Sequence, residues 1–470
     1  MPAQSTSAVP ADATAQSPFT WRFLSPLYLA SILNPVNTSL IATALVPIAH
    51  GLGIPIGQTA ALVTALYLAS AVAQPTAGKA AEVFGPRRVL IAGAFALGVG
   101  GLIGWIAPDL LTLLISRVLI GLGTSCAYPT AMLLIRKRAR EAGMAQPPGG
   151  VLGGLQITGV ATASLGLPIG GLLVGALGWR SVFFVNLPLA LITLVATLIW
   201  VEADGPSARR GVREIASRLD LAGIAGFAVA MLALLIFLFE LPTAHWWILI
   251  ASIVLWAGVI GWELRAASPF LDVRLLAARP ALTNTYVLFG LVMLCQYIVL
   301  YGLTQWVETV RGYGGSSAGL LLLPMTLISG VAIAVISRRN LIRGPVIAAA
   351  VISLTGSAGV LLLDAGAWIG LVAVITLLFG AATGFAVAGY QTALYTHAPA
   401  EQLGTAAGLL RTFGYIGSIA SSAITGMVFH RQVTDHGLHL IAWIMVGISL
   451  VLTALTLADR SLRTAPAHTD

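Results

Sequence analysis

Charge is what this sequence has least of. Asp, Glu, Lys and Arg make up 9% of its 470 residues, against about 25% in soluble globular domains. Acidic side chains number only 17, and cysteines only two. Cys126 and Cys295 both sit inside apolar runs and read as packing thiols; two cysteines cannot build a disulfide framework or a zinc pattern. The sequence has no G-x-x-x-x-G-K-[ST] phosphate loop, which excludes an ATP-driven pump made of this polypeptide alone. What it has in excess is apolar surface. The hydrophobic share is 58%, and the 51 glycines raise the total to about 69%, where soluble domains run at about 45–50% with glycine included. A soluble multi-domain enzyme is therefore excluded. A membrane β-barrel is excluded too, because its weak alternating segments of about ten residues are absent.

Apolar runs separated by charged or turn clusters give fourteen candidate spans, the first at 23–49 and the last at 438–458. Each is long enough for the roughly 20 residues a spanning helix needs. The basic residues orient them. With the N-terminus inside, twenty of the 25 Lys and Arg residues fall on the inner side and three (Arg180, Arg311 and Arg431) on the outer side, while Arg117 and Arg411 lie within spans. Cytoplasmic loops carry this excess, so both termini are expected in the cytoplasm. The same asymmetry accounts for the formal charge of +8 without nucleic acid. The expected architecture is an all-α integral membrane protein. A disordered tail (1–21) precedes an N-terminal six-helix bundle (22–203). A linker, an inserted two-helix hairpin and a second linker (204–280) lead to a C-terminal six-helix bundle (281–460) and a short tail (461–470).

The sharpest local signal follows the second span, in Gly78-Lys-Ala-Ala-Glu82-Val-Phe-Gly85-Pro-Arg87-Arg88. Gly78 permits close helix approach and Gly85 a tight turn. Glu82 can cap a helix N-terminus or pair with an arginine across a bundle interface. The stretch resembles the G-x-x-x-D-x-x-G-x-R-R/K loop of the major facilitator superfamily, with Glu in place of Asp. Span four has Arg117-Val-Leu-Ile-Gly121-Leu-Gly123, similar to the family's R-x-x-Q-G-x-G but with Ile120 at the Gln. Span five has Gly166, Pro168, Gly170 and Gly171, which resemble the antiporter core G-P-x-x-G-G with the proline displaced by one position. The run from Gly178-Trp179-Arg180 to Asn186 and Pro188 resembles the string between spans five and six of drug:proton antiporters. The sequence is most similar to the fourteen-span drug:proton antiporter family. That resemblance implies two parallel six-helix repeats with the site near the midplane.

One departure bears on mechanism. The family's first span carries an aspartate where Asn37 stands, and Asn37 cannot take up a proton. Candidate pathway residues within spans are Asn34, Asn37, Arg117, Gln156, Gln296, Tyr297, Tyr390, Gln391 and Arg411. An arginine near mid-membrane faces the protein interior or a water-filled cavity. Tyr286, Phe289, Met293 and Trp306 could supply an apolar wall. With Asn37 excluded, Glu308 is the first choice as proton carrier and Glu240 the second. His430, His436 and His439 cluster at one outer connection without acidic or cysteine partners, so no metal site is read there. No cofactor is expected either.

The reading is a secondary active transporter of the bacterial-type inner membrane, working as a monomer and exporting small lipophilic compounds or drugs in exchange for protons by alternating access. An exporter of one endogenous metabolite is the second reading. A lipid-handling protein or membrane enzyme is the third; it needs an ionisable cluster at a common depth, and Arg117 and Arg411 have no carboxylate with them.

Overall fold

The structure is a computed structural model describing residues 18–144, 146–205, 218–239, 245–313, 315–339, 341–429 and 432–459. Among them there is no β-strand; helices are joined by short turns. A bilayer imposes this on an apolar polypeptide, because peptide groups in hydrocarbon must be hydrogen-bonded within the segment itself. The long helices are α1 (Trp21–Leu52), α2 (Ile56–Phe84), α3 (Pro86–Ile106), α4 (Leu110–Glu141), α5 (Gly149–Leu177), α6 (Ser181–Trp200) and α7 (Leu221–Phe239). They continue with α8 (Trp246–Glu263), α9 (Pro280–Thr309), α10 (Gly315–Ser337), α11 (Arg343–Val360), α12 (Ile369–His397), α13 (Leu403–Val428) and α14 (Asp435–Ala458).

Among the described residues, twelve helices are long and apolar enough to cross a membrane. The fourteen-span expectation exceeds that number by two, because α5 and α13 are not among the twelve. In α13 the reason is visible in the sequence: it carries Arg411 and many Gly, Ser and Thr residues, and most of its side chains are buried. The surface is apolar where a soluble protein would be polar, with Leu172 at 74% and Trp368 at 75% exposure. Trp21, Trp105, Trp200, Trp246, Trp247 and Trp368 all stand at or beside helix ends, where membrane proteins keep their aromatic belts.

The packed region begins ahead of the tail boundary expected at residue 21. Residues 1–17 lie outside the described region, but Phe19 is buried with its ring 6.1 Å from that of Phe23, and α1 opens at Trp21. Helices α1–α6 pack on one another, α1 along α5 and α3 along α4 and α6; α9–α14 do likewise, α9 along α13 and α10 along α12. The two sets meet along α2–α13 and α5–α10. At the first crossing a Cβ on Gly78 would lie 2.2 Å from the backbone carbonyl carbon and oxygen of Gly404. Only glycine permits that approach, so α2 and α13 touch backbone to backbone.

Helices α7 and α8 pair through Phe227 and Trp256, whose rings are 5.5 Å apart and perpendicular, and through Ser252 Oγ donating to Ala230 O at 3.2 Å. Asp220 closes the base of this hairpin. Its Oδ1 accepts from Gly223 N at 3.0 Å and Trp262 Nε1 at 2.9 Å, and its Oδ2 from Phe270 N at 3.2 Å. From α2, Lys79 Nζ donates to Pro269 O at 2.9 Å, tying the segment after the hairpin to the same helix that crosses α13.

Candidate functional site

A cavity of about 280 Å³ lies between the two helix sets, lined from α1, α2, α4, α5, α9, α10, α12 and α13. Five of the expected pathway residues line it: Asn34, Gln156, Gln296, Tyr297 and Arg411. Phe289, Met293 and Tyr67 add an apolar and aromatic wall, and no described lining residue is acidic. The other four stand elsewhere. Gln391 is buried behind the wall and bonded to it. Tyr390 turns its ring edge to Phe289 at 6.1 Å and is not part of the lining. Asn37 and Arg117 are buried inside the N-terminal set. Asn37 donates to Asn186 Oδ1 at 2.7 Å, and Arg117 donates to the carbonyls of Leu62 and Asn37 at 3.1 and 3.3 Å. Their polar groups tie α1, α2, α4 and α6 together rather than face the cavity.

Arg411 is held by a succession of polar side chains. Its Nη2 donates to Gln156 Oε1 at 2.7 Å, and its guanidinium carbon lies 4.1 Å from the centre of the Tyr128 ring. Gln156 Nε2 donates to Gln391 Oε1 at 2.7 Å and to the Tyr128 hydroxyl at 3.1 Å; that hydroxyl in turn donates to Gln391 Oε1. On the other side, Asn34 Nδ2 donates to Ser70 and Thr124 hydroxyls at 3.2 and 3.1 Å, while its Oδ1 accepts from the Tyr415 hydroxyl at 3.1 Å. Gln74 Nε2 reaches the same Tyr415 oxygen at 3.3 Å. Both networks join residues from the two helix sets, so any parting of the sets changes them.

At the end of the bundle where α2 finishes and α13 begins, the sets are latched. Glu82 Oε1 accepts the Thr405 backbone N–H at 2.8 Å and Oε2 the Thr405 hydroxyl at 3.1 Å. Of the two roles open to Glu82, the structure takes helix capping: a carboxylate meets one of the first N–H groups of α13, which have no partner within the helix, and complements the helix dipole. The ion pairs among the described residues, Lys137–Glu141 and Arg138–Glu202, do not involve it. At the same end α5 meets α10, where a Cβ on Gly153 would lie 2.7 Å from that of Ser337. Arg87 and Arg88 do not reach across. Their backbone N–H groups donate to the two Asp204 oxygens at 3.3 and 2.9 Å, and the Arg87 guanidinium donates to Leu198 O at 2.8 Å. Gly85, at φ 99°, makes the turn that presents both N–H groups.

The profile of the Major Facilitator Superfamily matches residues 27–422. The chain belongs to the Major Facilitator Superfamily. Among its relatives, an uncharacterized MFS-type transporter of Bacillus subtilis, YwoD, is 30% identical over 92% of this chain and 95% of its own. The multidrug resistance protein Stp of Mycobacterium tuberculosis is 28% identical over 78% of this chain and 68% of its own. The tetracenomycin C resistance and export protein of Streptomyces glaucescens is 27% identical over 88% and 77%. The crystal structure of the human organic anion transporter MFSD10 shares the fold at a TM-score of 0.66 and 16% identity, covering 93% of this chain and 99% of that one.

Within this facilitator the span-five glycines divide. A Cβ on Gly166 would lie 2.3 Å from that of Ser39, and one on Gly170 2.6 Å from Thr43 Oγ1, so this pair lets α5 approach α1. A Cβ on Gly171, or on Gly175 one turn further along α5, would meet no described atom within 4 Å. The side chain of Pro168 is not among those described. Glu308 is exposed and does not line the cavity; Glu240 lies outside the described residues. Sequence reasoning misses Asp204 and Thr405, and it misses the role of Asn186 as partner of Asn37. The Asn186 amide was visible only as a motif position, and nothing in the local sequence marks the other two as partners of residues far away in it.

Proposed function

We propose that this facilitator exports small lipophilic compounds, drugs among them, by alternating access. The observation that carries the reading is the mostly apolar, aromatic cavity between two helix sets, which Glu82 and the glycine crossings join at the end where α2 finishes. Such a site buries a drug-sized ligand against apolar walls and orients it with a few polar groups. The relatives named for multidrug resistance and for resistance and export favour drugs over a single metabolite. We further propose fourteen spans, with α5 and α13 crossing as interior helices, arranged as two six-helix halves and an inserted hairpin. The inner membrane is the proposed site, with both termini cytoplasmic on the strength of the basic-residue asymmetry. In that orientation the end held by Glu82 is the cytoplasmic one.

Proton drive needs a carboxylate whose surroundings change when the halves part. Glu82 meets that condition, since its two bonds run from one half to the other. Glu308 is exposed and off the cavity lining, so Glu82 is proposed ahead of it as the proton carrier. The test is accumulation of fluorescent lipophilic substrates in everted vesicles, with and without a proton gradient. Accumulation that needs neither the protein nor the gradient would refute, respectively, export and proton coupling.

A further inference from the structure

We infer that the cavity selects aromatic compounds bearing an anionic group, a carboxylate or phenolate, and seats that group on Arg411. The inference rests on the export reading and narrows it to a substrate class.

Three observations lead there. First, Arg411 is a cation on the cavity wall without a counter-charge: no described lining residue is acidic, and neither ion pair among the described residues includes it. Arg411 is half-buried on that wall, and once a ligand displaces the cavity's water its charge is costly unless paired, so a cationic ligand would add a second uncompensated charge and an anionic one would supply the missing partner. Second, the guanidinium is fixed before any ligand arrives. Gln156 takes Nη2 at 2.7 Å and the Tyr128 ring lies under the guanidinium carbon at 4.1 Å. Guanidinium carries five N–H donors in a rigid fork that fits a carboxylate, and Gln156 occupies one of them. The Gln156 amide is itself neutral and leaves the charge uncompensated; its own N–H is turned to Gln391 at 2.7 Å. Third, the same cavity offers rings to an aromatic body: Tyr67 and Tyr415 lie 5.8 Å apart, with Phe289 and Tyr297 from α9 also in the lining.

The test uses one aromatic body in three charge states: 2-naphthylacetate, its methyl ester, and 2-naphthylmethyl-trimethylammonium. Binding to the purified full-length protein is titrated by fluorescence, and the ratio of affinities is read within each variant. Wild type should prefer the anion to the cation by about 10- to 100-fold, the range of one charge-assisted pair. Arg411→Gln should collapse the anion-to-ester ratio by a similar factor, and Arg411→Lys should restore part of it. Gln156→Glu, which places a carboxylate beside the guanidinium, should lower the preference for the anion and admit the cation. It reads the same charge logic even if Arg411→Gln does not fold. A wild-type preference for the cation, or a ratio unmoved by Arg411→Gln and Gln156→Glu alike, would overturn the inference. If none of the three binds while vesicles still export lipophilic compounds, the substrate class is wrong and export stands; if there is no export either, both readings fall.

Discussion

Replacing Glu82 by Gln removes one charge from the contact between α2 and α13 and leaves its shape. In the structure the carboxylate accepts two hydrogen bonds from Thr405, one from the backbone N–H at 2.8 Å and one from the hydroxyl at 3.1 Å. A hydrogen bond to a charged group contributes about 1.5–3 kcal/mol, and a carboxylate at a partly buried helix N-terminus up to about 2 kcal/mol. An amide oxygen keeps one neutral bond, so the net loss is on the order of 1–3 kcal/mol. If the contact exists only while this end is closed, the whole loss falls on the closed arrangement, and the open one gains roughly 5- to 150-fold in relative population. A reporter is available at the other crossing of the same end. Ser337 is buried against Gly153, and Ser337→Cys is nearly isosteric, so its sulfur should react with a maleimide only when the end opens. The labelling rate in Glu82→Gln should rise by that factor over the Ser337→Cys background. Thr405→Val, which removes the hydroxyl and keeps the N–H, should give a smaller rise, and the double variant less than the product of the two. Labelling rates that do not change in Glu82→Gln would show that the contact holds nothing closed.

Gly78→Ala should act on the same end by bulk, since its methyl would fall 2.2 Å from Gly404 backbone atoms; the Ser337→Cys labelling rate should rise, or transport should be lost with the protein still in the membrane. Asp204→Ala should lower the thermal melting point through loss of two N–H acceptors at the α3 N-terminus, while leaving Ser337→Cys labelling near the background rate, because that contact stays within one half. Asp109 caps α4 by accepting the Thr112 N–H at 2.8 Å, which holds its carboxyl below the ordinary 3.8. A depressed value means its contribution is present at neutral pH and is lost as the pH falls below the ordinary range, so the melting points of wild type and Asp109→Ala should converge in acid. A cysteine at Ala142, exposed between α4 and α5, should resist an impermeant thiol reagent added to intact cells; ready labelling would reverse the orientation.

The helices could be read from the sequence because a bilayer leaves a mostly apolar polypeptide few other choices, and the family could be read because its motifs are local strings. Partners were another matter. Glu82 stood out as a capping or pairing residue, but Thr405 lies 323 positions away and is an ordinary threonine. Glu308 stands near a span end, and position along a helix does not say which face a residue takes; Glu308 is exposed. Asn37 and Arg117 count among the candidate pathway residues on polarity alone, and the structure gives their polar groups to Asn186 and backbone carbonyls instead of the cavity. Polarity in a span predicts a bond, and the fold decides whether a neighbouring helix or a substrate supplies it.

The Glu82 bond to a backbone N–H has an evolutionary consequence. A latch between two side chains ties together the identities of both positions, and losing either breaks it. Here one partner is the peptide backbone, which every residue except proline provides. Position 405, buried at the crossing, can therefore exchange its hydroxyl for another small side chain and keep the principal contact, while position 82 must keep an acceptor and holds best as a carboxylate. Substitution at the two sites should be uncoupled, with the constraint carried by one helix and the freedom by the other.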